Sequence, residues 1–137
     1  MRFIILSKEN ARKFSSPHRY AVRGVVSNDD CHPLIQEGYV DRLKLKFYDI
    51  DFNTPIFPSM NSNDAIEILE FVEKNKNKVD MFVIHCNAGI SRSSGTAAAL
   101  SLIYNDDDSW VFSNPKYMPN MMVYRTILTE AEKLGLL

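Results

Sequence analysis

The sequence predicts an α/β protein, with a central mixed, mostly parallel β-sheet of about four to five strands flanked by α-helices. Three observations predict it. Short apolar runs rich in β-formers, at residues 2–6, 20–27, 43–47 and 81–84, read as strands. Stretches with helical spacing of apolar residues follow those runs, and strands alternating with helices imply helices packed on a sheet. The chain has 137 residues, 45% of them hydrophobic, which fits a single domain over residues 1–137 with a substantial core.

Each element has a local reason. Arg2 to Leu6 is a short buried strand, and Lys8 to Phe14 allows one or two helical turns before Pro17 breaks the run. Tyr20 to Ser27 is a second strand in which Gly24 marks a bulge or a close approach, and Asn28-Asp29-Asp30 is a turn. Leu43, Leu45 and Phe47 alternate with Lys44, Lys46 and Tyr48, a strand with one buried face that places Asp49 in the same register. Two prolines and many short polar residues make a loop of Ile50 to Asn63. Ala65, Ile66, Ile68, Leu69, Phe71 and Val72 follow helical spacing, with Asp64 and Glu67 as a capping box and Lys74 to Lys78 as a cationic end. Met81 to Ile84 is the central strand, and a helix from about Ser94 to Tyr104 follows Cys86 to Ser93. Asn105 to Asp108 is an acidic turn and Pro115 to Asn120 is irregular. Met121 to Leu134 is the last helix, with Pro119 and Asn120 at its start and Gly135 past its end.

Composition narrows the function. Net charge is −1, which argues against nucleic-acid binding or broad attraction to a membrane surface. No stretch approaches the ~18 consecutive apolar residues of a membrane helix, and the N-terminal apolar run is short for a signal peptide. Cys31 and Cys86 are the only cysteines, too few for a disulfide framework. A monomer in a reducing, cytoplasmic compartment is expected, where a free thiol persists.

The chemistry concentrates in His85-Cys86-Asn87-Ala88-Gly89-Ile90-Ser91-Arg92-Ser93. A loop from a buried strand to a helix N-terminus turns backbone N–H groups inward, toward the positive end of the helix dipole. Gly89 supplies the backbone freedom such a loop needs. Arg92 offers a two-pronged contact to phosphate oxygens. The same field lowers the pKa of Cys86 and favours its thiolate. Ser93 can donate to the sulfur and ease its departure. A lone cysteine after a strand is usually inert, so the joint spacing of Cys86, Gly89 and Arg92 carries the reading.

These residues resemble the His-Cys-x5-Arg-Ser/Thr signature of the protein tyrosine phosphatase superfamily. Ala88-Gly89-Ile90-Ser91-Arg92-Ser93 is most similar to its dual-specificity branch, and so is Pro119-Asn120 at the last helix. The resemblance implies a dual-specificity phosphatase-like fold and a two-step reaction through a phosphocysteine at Cys86. Loop residues Asn87, Ala88, Gly89, Ile90 and Ser91 would hold the phosphate with Arg92, and His85 would orient the loop. No metal or other cofactor is implied. An aspartate on a separate loop would be the general acid. Phe47-Tyr48-Asp49 is similar to the Phe-x-Asp of several members, so Asp49 leads, with Asp51 the alternative.

Members of that superfamily that act on inositol phospholipids often carry Lys within this loop. Asn87 to Ser91 are uncharged, so the resemblance implies a phosphorylated protein as the partner and not a highly charged lipid headgroup. Phosphotyrosine leads, and a shallow pocket would also admit phosphoserine and phosphothreonine. Tyr48 and Phe52 are candidates to flank a phosphotyrosine ring. The competing expectation is a catalytically silent phosphate- or phosphoprotein-binding module, a pseudophosphatase. A rhodanese-like sulfur-handling enzyme would not account for Ser93 or the upstream Phe47-Tyr48-Asp49, and arsenate reductases carry their Cys loop near the N-terminus, whereas here it lies at residue 86.

Overall fold

A computed structural model describes all 137 residues. In chain order the elements are β1 (Arg2–Ser7), α1 (Lys8–Lys13), β2 (Tyr20–Val26), β3 (Arg42–Lys46), α2 (Ser62–Asn75), β4 (Met81–Cys86), α3 (Arg92–Asn105), α4 (Ser109–Phe112) and α5 (Met121–Lys133). The four strands lie in the order β1-β4-β2-β3, and all three pairings are parallel.

A parallel sheet needs cover on both faces, and the alternation of side chains supplies it. Phe3, Ile5, Ala21, Val25, Phe82, Ile84 and Cys86 face α2, α3 and α5 in the main core. Tyr20, Val22, Met81 and Val83 face the other way, under Phe14, Ile35 and Tyr39. β2 and β4 are buried along their whole length, which accounts for their continuous apolar runs. Each fully buried Ile68, Leu69 or Ile84 side chain contributes about 1.5–3 kcal/mol by leaving water.

Helix starts differ from the sequence expectation in two places. The capping box of α2 is Asn61 with Asp64, not Asp64 with Glu67. The Asp64 amide donates to Asn61 Oδ1 at 2.9 Å and the Asn61 amide donates to Asp64 Oδ2 at 3.0 Å. Asn61 sits in extended backbone, so the helix begins a turn earlier. Helix α3 begins at Arg92, ahead of Ser94, which brings Arg92 and Ser93 into its first turn. Every residue of α3 from Arg92 to Ser101 is buried, and its small side chains let it lie close between the sheet and α5. The short helix α4 was not expected; Val111 anchors it in the core and Trp110 Nε1 donates to Ser101 Oγ at 3.0 Å. No helix is long and apolar enough to cross a membrane.

Candidate active site

Strand β4 carries Cys86 to the carboxyl end of the sheet, between β1 and β2. Ligands of open α/β sheets gather at that end. Residues 87–91 turn back from Cys86 to α3. Gly89 is in the left-handed region at φ 71°, and a Cβ there would lie 2.7 Å from the Ser7 amide nitrogen and 2.9 Å from the Leu6 carbonyl oxygen. The loop is thus seated on the end of β1 at a spot only glycine fits. From that seat the Gly89 amide donates to Cys86 Sγ at 3.2 Å.

Cys86 is 2% exposed. Burial pushes its thiol up, but the Ser93 hydroxyl and amide, the Gly89 amide and the Arg92 charge outweigh burial, and the thiol is held below the ordinary cysteine value. The Ser93 hydroxyl makes no aligned hydrogen bond to any group. Its dipole nonetheless favours the anion at short range, while the Gly89 amide makes the aligned contact.

Arg92 is 4% exposed. Its Nη1 donates to the Phe47 carbonyl at 2.8 Å and to Ser27 Oγ at 3.3 Å, which pins the guanidinium to the exits of β3 and β2. Its Nε has no partner within the protein. Asn87 lines the cleft and is tied to Asp30. Its Nδ2 donates to Asp30 Oδ2 at 3.2 Å, and Lys8 Nζ donates to the same oxygen at 2.9 Å. The Lys8 amide donates to the Asn87 carbonyl at 3.1 Å, so the start of α1 braces the loop.

His85 is fully buried on the opposite face from Cys86, and neither ring nitrogen has a partner. Burial, then the charges of Arg23, Arg42 and His32, push its pKa down to about 3, so the ring is neutral. A Cβ on its cross-strand neighbour Gly24 would lie 2.2 Å from His85 Nε2. Gly24 is therefore a close approach, and what it admits is the imidazole.

Asp49 and Asp51 both border a cleft of about 790 Å³ with Cys86, Asn87, Ala88, Ile90, Ser91 and Arg92. β3 ends at Lys46, so strand register does not carry as far as Asp49. A bond from the Tyr48 amide to the Pro58 carbonyl at 2.7 Å holds the following loop instead. Asp49 Oδ1 accepts from Ser91 Oγ at 2.8 Å and from Asn120 Nδ2 at 2.9 Å. Asp51 makes no such contact and is exposed. Phe52 lies on the rim, 58% exposed, whereas Tyr48 packs edge-on against Phe57.

Besides Ser27, Asn120 and Arg23 lie outside the expected set and belong to this arrangement. Asn120 caps α5 through Oδ1, which accepts from the Met122 and Val123 amides, and its Nδ2 also donates to the Ile50 carbonyl at 3.0 Å. One side chain thus ties the Asp49 loop to α5. Pro119-Asn120 was visible as a helix start, but nothing in sequence joined it to Asp49. Arg23 lies buried on the α3 side of β2, and a charge inside a strand gave no sequence signal beyond its oddity. Cys31 is an exposed free thiol, and Cys86 is free as well.

No family model matches the sequence, and no curated protein matches it. The solved structures do. Human DUSP28 is 15% identical, with a TM-score of 0.68 over 97% of this chain and 93% of that one. Human tyrosine phosphatase-like serine/threonine/tyrosine-interacting protein is 19% identical, with a TM-score of 0.69 over 98% and 93%. PTPMT1 in complex with PI(5)P is 14% identical, with a TM-score of 0.63 over 98% and 92%. The chain has the fold of the dual-specificity branch of the protein tyrosine phosphatases.

Proposed function

We propose that this protein is a cysteine-dependent phosphatase of the dual-specificity branch that hydrolyses phosphotyrosine, and to a lesser extent phosphoserine and phosphothreonine, in protein substrates. The observation that carries the reading is a thiol held below its ordinary pKa, in one cleft with Arg92 and a tethered carboxylate at Asp49. A pure anion binder has no use for an activated thiol.

In the first step the Cys86 thiolate attacks phosphorus. The P–O ester bond breaks, and the leaving oxygen takes a proton from Asp49 Oδ2, which neither Ser91 nor Asn120 occupies. Arg92 and the loop amides carry the charge on the transferring oxygens. In the second step water attacks phosphorus, its proton passes to the Asp49 carboxylate and the P–S bond breaks. The Ser93 hydroxyl, without another partner, donates to the departing sulfur.

The cleft supports the substrate class. Arg92 is the only cation that lines it, while Ile50, Phe52, Ile90, Met118 and Met121 give it apolar walls. That suits one phosphate on an aromatic ring better than an inositol lipid, even though one structural neighbour holds PI(5)P. Phosphate release from a phosphotyrosyl peptide, a phosphoseryl peptide and PI(5)P tests this order. Faster release from PI(5)P than from the phosphotyrosyl peptide would overturn it. The silent-binder alternative predicts equal, background release by the wild type and Cys86→Ser.

A further inference from the structure

Arg23 is 2% exposed, and none of the protein's ion pairs includes it. Its Nη2 donates to Thr96 Oγ1, while Nε and Nη1 have no partner. Thr96 Oγ1 in turn donates to the Arg92 carbonyl at 3.0 Å. Arg23 pairs in register with Ile84 of β4, and Cys86 lies two positions further along the same face. The guanidinium therefore sits beneath Thr96 of α3, on the same side of the sheet as the sulfur. A buried charge without a counter-charge is strongly unfavourable, so an arginine held there calls for an anion.

We propose that the Cys86 thiolate is that anion, and that Arg23 is a positioning residue that holds the nucleophile ionised from beneath the loop. This rests on the proposed phosphatase chemistry only in supposing that the thiolate is the working form. The charged and titratable groups facing the pair are few. Arg92 comes from α3, Asp49 and Asp51 come from the loop after β3, and Asp64 comes from the start of α2. His85 is neutral and on the opposite face. Asp64, partly buried, sits above the usual carboxylate range because burial outweighs its bond from Asn61 and the Arg23 charge. Of the two, Cys86 acts on the Arg23 charge more strongly than Asp64 does, and it lies on the neighbouring strand on the same face. Burial lowers the Arg23 pKa to about 10, with the Cys86 thiolate acting to raise it, so Arg23 stays charged at neutral pH. The cleft does not include Arg23, so it supports the sulfur without occupying substrate space.

The test is the pH profile of Cys86 alkylation by iodoacetamide, which needs no phosphatase turnover. Arg23→Met moves the midpoint up and slows alkylation below neutral pH on the order of tenfold. Arg23→Lys, which keeps the charge, stays with the wild type, and so does Thr96→Val, which removes only the hydrogen bond. A folded Arg23→Met with the wild-type profile overturns the proposal, as does an Arg23→Lys profile displaced as far as that of Arg23→Met. NMR of the arginine Nε–H groups reads the same contact even where Arg23→Met does not fold. The Arg23 resonance, assigned by its loss in Arg23→Lys, shifts at the thiol's midpoint in the wild type and shows no such step in Cys86→Ser. An Arg23 resonance without that step in the wild type sinks the idea. Failure of the phosphatase reading shows separately, as absent turnover of p-nitrophenyl phosphate with the thiol profile intact.

Discussion

Asp49 and Asp51 share the cleft, and a neutral substitution of nearly equal size separates them. Asp49→Asn is expected to lower kcat about 10²–10⁴-fold on an alkyl phosphate, whose leaving group needs its proton, and less on p-nitrophenyl phosphate. Asp51→Asn stays within a few-fold of the wild type on both; the reverse pattern would move the acid to Asp51. Gly89→Ala tests the seat of the loop. A positive φ of 71° and a Cβ 2.7–2.9 Å from the backbone of Leu6 and Ser7 should lower unfolding stability by at least about 1–3 kcal/mol, measured by urea titration. At this scale the sequence was informative where spacing alone defines geometry, as for Cys86, Gly89 and Arg92. It was silent on Ser27 and Arg23 and on the link from Asn120 to Asp49, because these contacts join residues 65, 73 and 71 positions apart.

The loop after β3 and the start of α5 act together through Asn120, which has two separable jobs. Its Oδ1 caps the helix and its Nδ2 holds Asp49 and Ile50. Asn120→Ala loses both, so stability falls by about 0.5–2 kcal/mol and turnover of alkyl phosphates falls too. Asn120→Asp keeps the cap and sets a carboxylate against Asp49, so turnover falls with the helix cap retained. Equal turnover in both variants and the wild type would show that the tether does not position the acid. Long periodic elements such as α2 and α5 were legible, since their apolar stripes repeat at helical spacing. Helix α3 carries no such stripe because its first ten residues are buried all round, so only the small residues and the preceding motif marked it. The one-turn helix α4 depends on Val111 and Trp110 meeting the core, a tertiary contact that no local pattern encodes.

At the scale of the whole sheet, the second face carries a fully buried imidazole. His85 stays neutral, its pKa near 3 in the folded protein against about 6.5 unfolded. The unfolded chain therefore binds a proton that the folded chain refuses. This contribution to stability is complete above pH 6.5 and is lost as pH falls toward 3, at up to about 1.4 kcal/mol per pH unit. Urea midpoints between pH 7 and 4.5 should fall steeply in the wild type and less in His85→Gln; parallel slopes would show that His85 does not set the acid limb. Strand alternation and a strand-loop-helix motif made the α/β class readable, whereas the strand order β1-β4-β2-β3 is a long-range choice that short apolar runs do not specify. The account as a whole stands on Cys86 being a working nucleophile. Hydrolysis of p-nitrophenyl phosphate by the wild type beside Cys86→Ser tests that most directly. Turnover by the wild type, lost to background in Cys86→Ser with the fold retained, is the predicted result. Equal rates for the two proteins, whether both fast or both at background, would contradict it.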